Sequence, residues 1–201
     1  MRYSDEHKDK TRQDLVRVAA RQMRAKGPAG VSIAQLMASL GLTHGGFYAH
    51  FPSKDALIAA AIEAMFADVA RRRADTLGTL PPSQALAVFI DQYLSSEHRD
   101  RRDRGCPIAA LIGMADQMPS TARTAFDQGY ERLVDLVAGL IVQGTAPDRQ
   151  ALATSIVSEI VGGLTLARAI SDPGCADQVL AQTRNSVRMR IGIADLTMET
   201  A

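Results

Sequence analysis

Two side chains in this sequence stand out as nucleophiles, the thiols of Cys106 and Cys175. There is no C-x-x-C and no paired His spacing near either, so neither a disulfide framework nor a zinc site is supported. Cys106 lies in Gly105-Cys106-Pro107, directly after the charged run from Glu97 to Arg104. Proline favours the first position of a helix, which puts Cys106 at the N-cap of a segment over 108–118. A helix N-terminus and the neighbouring Arg101, Arg102 and Arg104 would both favour the thiolate, so Cys106 is a candidate redox or electrophile sensor. The plainer reading is a small buried residue used as a cap. Cys175, in Asp172-Pro173-Gly174-Cys175, has no such setting and is expected to be inert. His98 is the one His close to Cys106 in sequence, and there are no paired carboxylates, glycine-rich phosphate loop or metal-ligand spacing. The chain is read as no enzyme, with no cofactor and no metal.

A second chemistry, recognition of a polyanion, is carried by the N-terminal part. Residues 1–55 hold nine Lys or Arg against five Asp or Glu, and the remaining 146 hold 14 against 17. A basic end on a mildly acidic body suits a nucleic-acid partner. Within that end, Thr43, His44, Tyr48, His50 and Lys54 fall in one short stretch, interleaved with Gly45, Gly46, Phe47 and Phe51.

The elements that must position this stretch are helical. Of 201 residues 46% are hydrophobic, 22% charged and only 4% aromatic, which suits a globular all-α fold. Leu15, Val18, Ala19 and Met23 give a first amphipathic helix over 11–26 that stops at Gly27-Pro28. Ser32-Ile33-Ala34-Gln35 has the form of a capping box, so a second helix starts at Ile33 and runs to a turn at Gly41. Thr43 can cap a third helix over 44–50, and Ser53 a fourth that places Lys54 in its first turn, where a phosphate could be held. Two short helices joined by a glycine turn behind a longer one form the pattern of a helix-turn-helix. Phe47 and Phe51, four apart, are expected to pack inward and leave His44, Tyr48 and His50 outward.

The run from Gly41 to Asp55 closely resembles the signature of the TetR family of bacterial transcriptional regulators, and the resemblance is dense from Thr11 to Leu57. It implies an all-α fold in two parts: a helix-turn-helix DNA-binding domain over 1–53, and a helical ligand-binding and dimerisation domain over 54–201. It also implies a cytoplasmic homodimer, in most members a repressor, that leaves a double-stranded DNA operator on meeting an effector. By resemblance Ser32, Tyr48, His50 and Lys54 match phosphate-contacting positions, and Thr43, His44 and Gly45 positions that approach bases; Gly46 counts with them among the DNA-binding residues. Ala34 and Ala49 depart from the longer side chains common in the family. The third helix carries no Arg, Lys, Asn or Gln for a bidentate base contact, so the operator cannot be read from it.

Beyond Lys54 a helical stripe of Leu57, Ala61, Ala64, Met65 and Val69 leads to Arg71-Arg72-Arg73, read as the C-terminal charges of that helix. Met65, Phe66, Phe89, Tyr93, Met114, Met118, Phe126 and Tyr130 are candidate lining for a pocket that takes a small apolar or electrophilic effector. Long helices are expected over 120–143, 148–170 and 176–191, with Gly162-Gly163 costly in mid-helix unless something packs closely there. The resemblance makes the last two the dimer face, with Ile156, Ile160, Gly163, Leu164, Ala167, Val179 and Leu180 as its residues. No stretch is long and charge-free enough to predict a membrane span, and Met1 to Arg12 is too charged for a secretory signal.

Overall fold

The computed structural model describes residues 2–192, with side chains from Glu6 onward. Among the described residues the regular structure is entirely helical, as the composition implies. The helices are α1 (Arg2–Lys26), α2 (Ile33–Ser39), α3 (Lys54–Leu77), α4 (Pro82–Tyr93), α5 (Ser96–Asp100), α6 (Pro107–Leu111), α7 (Ser120–Leu140), α8 (Ala146–Ala169) and α9 (Pro173–Arg190). Short 3-10 helices cover Pro28–Gly30, His44–Ala49 and Ile112–Gln117.

Contacts group the chain into two compact units: the chain up to Val69 with Cys106–Gly129, and Ala70–Gly105 with the chain from Tyr130 on. In the first unit, α1 packs on α2 and on α6 around Leu15, Met23, Leu36, Phe47, Leu57 and Ile62, each fully buried. Gly27 ends α1 with φ +72, a conformation that costs a side-chain-bearing residue but not glycine. The Met114 side chain fills the space a side chain at Gly27 would need.

In the second unit α8 pairs with α9, and both pack on α4. This corrects the expected dimer face. Ile156, Ile160, Leu164, Ala167 and Leu180 are all 3% exposed or less, and Gly163 is buried. Their apolar stripe is used up inside the subunit. Gly163 shows why: a Cβ there would stand 2.7 Å from Thr183 Oγ1 on α9, so the glycine permits the close approach of two helices of one chain. Val179 is half-buried. What α8 and α9 leave outward is Ser155, Ser158, Gly162, Leu166 at 59% exposure and Met189 at 80%. α8 is also long and apolar enough, by length and composition alone, to cross a membrane. Its apolarity is that of a packed helix, since Ala153, Ile156, Val157, Ile160, Val161, Leu164 and Ala167 are buried on one side.

Arg71-Arg72-Arg73 do not end α3, which continues to Leu77. The Arg73 guanidinium lies 5.1 Å over the Phe89 ring, and Arg72 donates to the Arg104 carbonyl at 2.8 Å. The last turn of α3 holds no basic residue, so contacts with a backbone carbonyl and an aromatic ring, rather than the helix dipole, account for Arg72 and Arg73.

Candidate nucleic-acid interface

Ser32 sits in extended backbone at the N-cap of α2, where its Oγ accepts the Gln35 N–H at 3.4 Å. Leu36 and Met37 bury the inner face of the helix, and Gly41, at φ +68, turns the chain. The Leu42 N–H closes that turn on the Met37 carbonyl at 2.9 Å. Thr43 is the N-cap of the next element, yet its side chain makes no capping bond. The element differs from expectation: residues 44–49 form a 3-10 helix, not an α-helix. Two glycines at its start remove the propensity that would favour α geometry, and six residues give too few i to i+4 bonds to compensate.

The inward and outward faces are as the spacing implies for Phe47, Phe51, His44 and Tyr48, but not for His50, which is half-buried rather than outward. Phe47 and Phe51 are buried at 1% exposure or less, with ring centroids 5.9 Å apart and stacked. Tyr48 stands edge-on to Phe47 at 5.3 Å and is 61% exposed, with the His44 ring 6.5 Å away. Thr43, His44 and Gly45 are exposed, and Gly46 is half-buried. A Cβ on Gly45 would meet nothing within 4 Å, so nothing in the chain requires glycine there. His50 is half-buried beside Phe51. Burial first, then the charges of Lys8, Arg12 and His7, hold its imidazole below the ordinary histidine range. Ser53 Oγ accepts the Ala56 N–H at 3.1 Å, fixing the start of α3 and with it the half-buried Lys54. The sequence reading missed the basic side chains of the first turns of α1, which starts at Arg2 rather than Thr11. Spacing gave no signal for them, since like charges at i, i+4, as at Lys8 and Arg12, oppose a helix rather than mark one.

The eight residues expected to line a pocket divide between the units. Met65, Phe66, Met118 and Phe126 are buried in the first, where Met114 is half-buried; Phe66 meets Phe126 edge-to-face at 6.4 Å. Phe89 and Tyr93 are buried in the second and Tyr130 is half-buried there. A groove of about 330 Å³ in the second unit is lined by other residues, among them Pro82, Ala138, Val142 and Arg149.

Cys106 does take the N-cap of α6, with Pro107 in the first position. Its expected accessibility is overturned: the residue is 2% exposed and α6 has only five residues, whereas Cys175 is exposed. The charged run before it is also more than a solvated loop. Ser95 caps α5, and Arg102 donates to the Arg168 carbonyl at 2.6 Å. Arg168 donates in turn to the carbonyls of His98 and Arg99. His98 Nδ1 lies 2.7 Å from the Tyr93 carbonyl, and its pKa is lowered to about 4. Burial is the main cause; the Tyr93 carbonyl opposes it, and Arg168, Arg73 and Arg72 add to it.

An exposed polar ridge on a two-helix unit with capped flanks defines a helix-turn-helix DNA-binding protein. A sequence model of bacterial regulatory proteins of the tetR family matches residues 15–61, and one of the transcriptional regulator LmrA/YxaF-like C-terminal domain matches residues 82–182. The chain belongs to the TetR family of bacterial transcriptional regulators, and is a DNA-binding regulator of transcription rather than an enzyme. It is 24% identical over 154 residues to the HTH-type transcriptional repressor DhaR of Mycobacterium sp. (strain GP1), covering 75% of this chain and 76% of that one. Its fold is similar to that of E. coli NemR in the reduced form, with TM-score 0.76, 18% identity and 90% and 96% of the two chains covered. A TetR regulator from Chloroflexus aurantiacus J-10-FL aligns with TM-score 0.75 and 24% identity over 93% and 96%.

Proposed function

We propose that this chain is a homodimeric repressor whose residues 1–53 bind a double-stranded DNA operator and whose residues 54–201 dimerise and receive an effector. The observation that carries the reading is the exposed ridge of Thr43, His44, Gly45 and Tyr48, held by the buried Phe47 and Phe51. Gly45, with open space where its side chain would be, lets a base edge approach the backbone. Thr43, His44, Gly45 and Gly46 serve the bases, and Ser32, Tyr48, His50 and Lys54 the phosphates. Dimerisation uses the outward side of α8 and α9, with Leu166 and Met189 as apolar anchors. The similarity to DhaR, named a repressor, supports repression over activation. A cytoplasmic, membrane-free protein follows from a chromosomal target.

A two-fold dimer should bind two half-sites about one helical turn apart or slightly more. Lys54→Ala should weaken binding to every duplex and lower the log–log salt slope by about 1. His44→Ala should change which sequences are preferred in a binding selection. Identical effects of both variants on all sequences would count against the assigned roles.

For the effector, a small apolar molecule entering among Met65, Phe66, Met118 and Phe126 is the better reading, because methionine cores repack readily. Release by modification of Cys106 is the second. Its N-cap position favours it, as does the likeness to NemR, whose structure is of a reduced form. Limited alkylation read by mass spectrometry separates the two: the exposed Cys175 should label first, and Cys106 only as the fold opens. Prompt labelling of Cys106 with release of DNA would restore the thiol reading.

A further inference from the structure

α1 extends toward the N-terminus on a mostly polar and charged stretch, and His7, Lys8 and Arg12 are exposed along it. Lys8 and Arg12 are four apart on one helix face, an arrangement of like charges that costs a few tenths of a kcal/mol in an isolated helix. The Arg12 guanidinium is placed by the core of the helix-turn-helix, 4.4 Å over the ring of the buried Phe51. Stacked there, it is pre-organised and keeps its N–H edge for an acceptor. His50, the residue before Phe51, feels Lys8, Arg12 and His7 together, so these four cationic or protonatable groups gather on one side of the recognition element. The buried His50 Nδ1 has no hydrogen-bond partner among the described residues. A gathering of this kind suits a polyanion, although Glu6 and Asp9 flank His7 and Lys8 in sequence, and His50 lies two residues past Tyr48, where the exposed ridge ends.

We propose that His7, Lys8 and Arg12 join His50 in holding the phosphate backbone of duplex DNA, so that the DNA-contacting surface begins in the first turns of α1. The inference rests on the DNA-binding reading above and enlarges its surface. A phosphate among these groups favours the protonated imidazole that burial, and after it Lys8, Arg12 and His7, otherwise oppose, so binding takes up a proton at His50.

The test is fluorescence anisotropy of the full chain with a labelled mixed-sequence duplex across a salt series. Lys8→Gln, an exposed change that leaves the core alone, should lower the log–log salt slope by about 1. Lys26→Gln, at the other end of α1 with the same charge change, should leave the slope where it is. Wild-type affinity should rise as the pH falls from about 8 to about 6, and His50→Gln should flatten that rise. An unchanged slope for Lys8→Gln, while Lys54→Ala lowers it, would overturn this inference and leave the DNA-binding reading standing. Equal losses for Lys8→Gln and Lys26→Gln would overturn it too, as mere net charge. A slope unmoved by Lys8→Gln and Lys54→Ala alike would overturn both readings.

Discussion

The segment from Ser32 to Lys54 buries two aromatic rings beneath an exposed polar ridge, whereas the pair α8–α9 buries its apolar stripe between its own two helices. In the first, Thr43, His44 and Tyr48 face outward and the two phenylalanines are buried, while His50 is half-buried. In the second, the residues expected to meet a partner subunit are the subunit's own core. Short elements bounded by caps and a positive-φ glycine fix their faces locally, because each element offers only one apolar side. A helix of 24 residues such as α8 shows an apolar stripe without showing whose stripe it covers.

Two histidines carry the same contrast and give the largest expected effect. Burial is the main cause that lowers the pKa of both, but His98 is bonded to the Tyr93 carbonyl inside the second unit, whereas His50 borders the recognition element. The His98 pKa of about 4 lies below the ordinary 6.5, so between those values the unfolded chain binds the proton and the folded chain does not. Stability from this site is therefore full above about pH 6.5 and is lost as the pH falls toward 4, by at most about 3 kcal/mol. Urea midpoints should drop between about pH 7 and about pH 5. His98→Asn, whose amide can still donate to the Tyr93 carbonyl, should flatten the drop. An acid profile unaffected by that change would detach His98 from the stability of its unit.

A somewhat smaller effect separates subunit core from subunit face. Gly163→Leu should clash with Thr183 and destabilise the fold by about 1–3 kcal/mol. Leu166→Asp should instead leave the midpoint near wild type and raise the monomer fraction in sedimentation. A stable Gly163→Leu monomer would return Gly163 to the dimer face.

The long helices were legible in existence and order, because apolar spacing at Leu15, Met23, Ile156 and Ile160 marks them and Pro28, Pro82 and Pro173 open or flank the elements; α5, and the break of the segment over 108–118 into α6 and a 3-10 helix, were not. The first turns of α1 were not legible, since no apolar periodicity precedes Leu15. In the candidate site, the exposure of Thr43, His44 and Tyr48 and the burial of Phe47 and Phe51 were legible, because caps and spacing act over a few residues, whereas the half-burial of His50 was not. Nor was the site's 3-10 geometry, because Gly45-Gly46 lower one preference without specifying another. Burial of Cys106 and the work of Arg73 depend on residues far away in sequence, and spacing carries no record of those.

The smallest expected effect tests the candidate site most finely, through two hydroxyls that the sequence treats alike. Ser32 and Thr43 both stand at N-caps, but only Ser32 accepts a backbone N–H, that of Gln35. Ser32→Ala should therefore cost about 1 kcal/mol of stability, the usual value of a lost cap, and any fall in DNA affinity will be mixed with that loss. Thr43→Ala removes no capping bond and should leave the unfolding midpoint unchanged within a few tenths of a kcal/mol. If Thr43 is exposed because its partner is a DNA base, the same variant should still alter sequence preference in a binding selection. Unchanged stability with unchanged preference would remove Thr43 from the interface, and stability lost in step with Ser32→Ala would mean that its hydroxyl caps the 3-10 helix in solution.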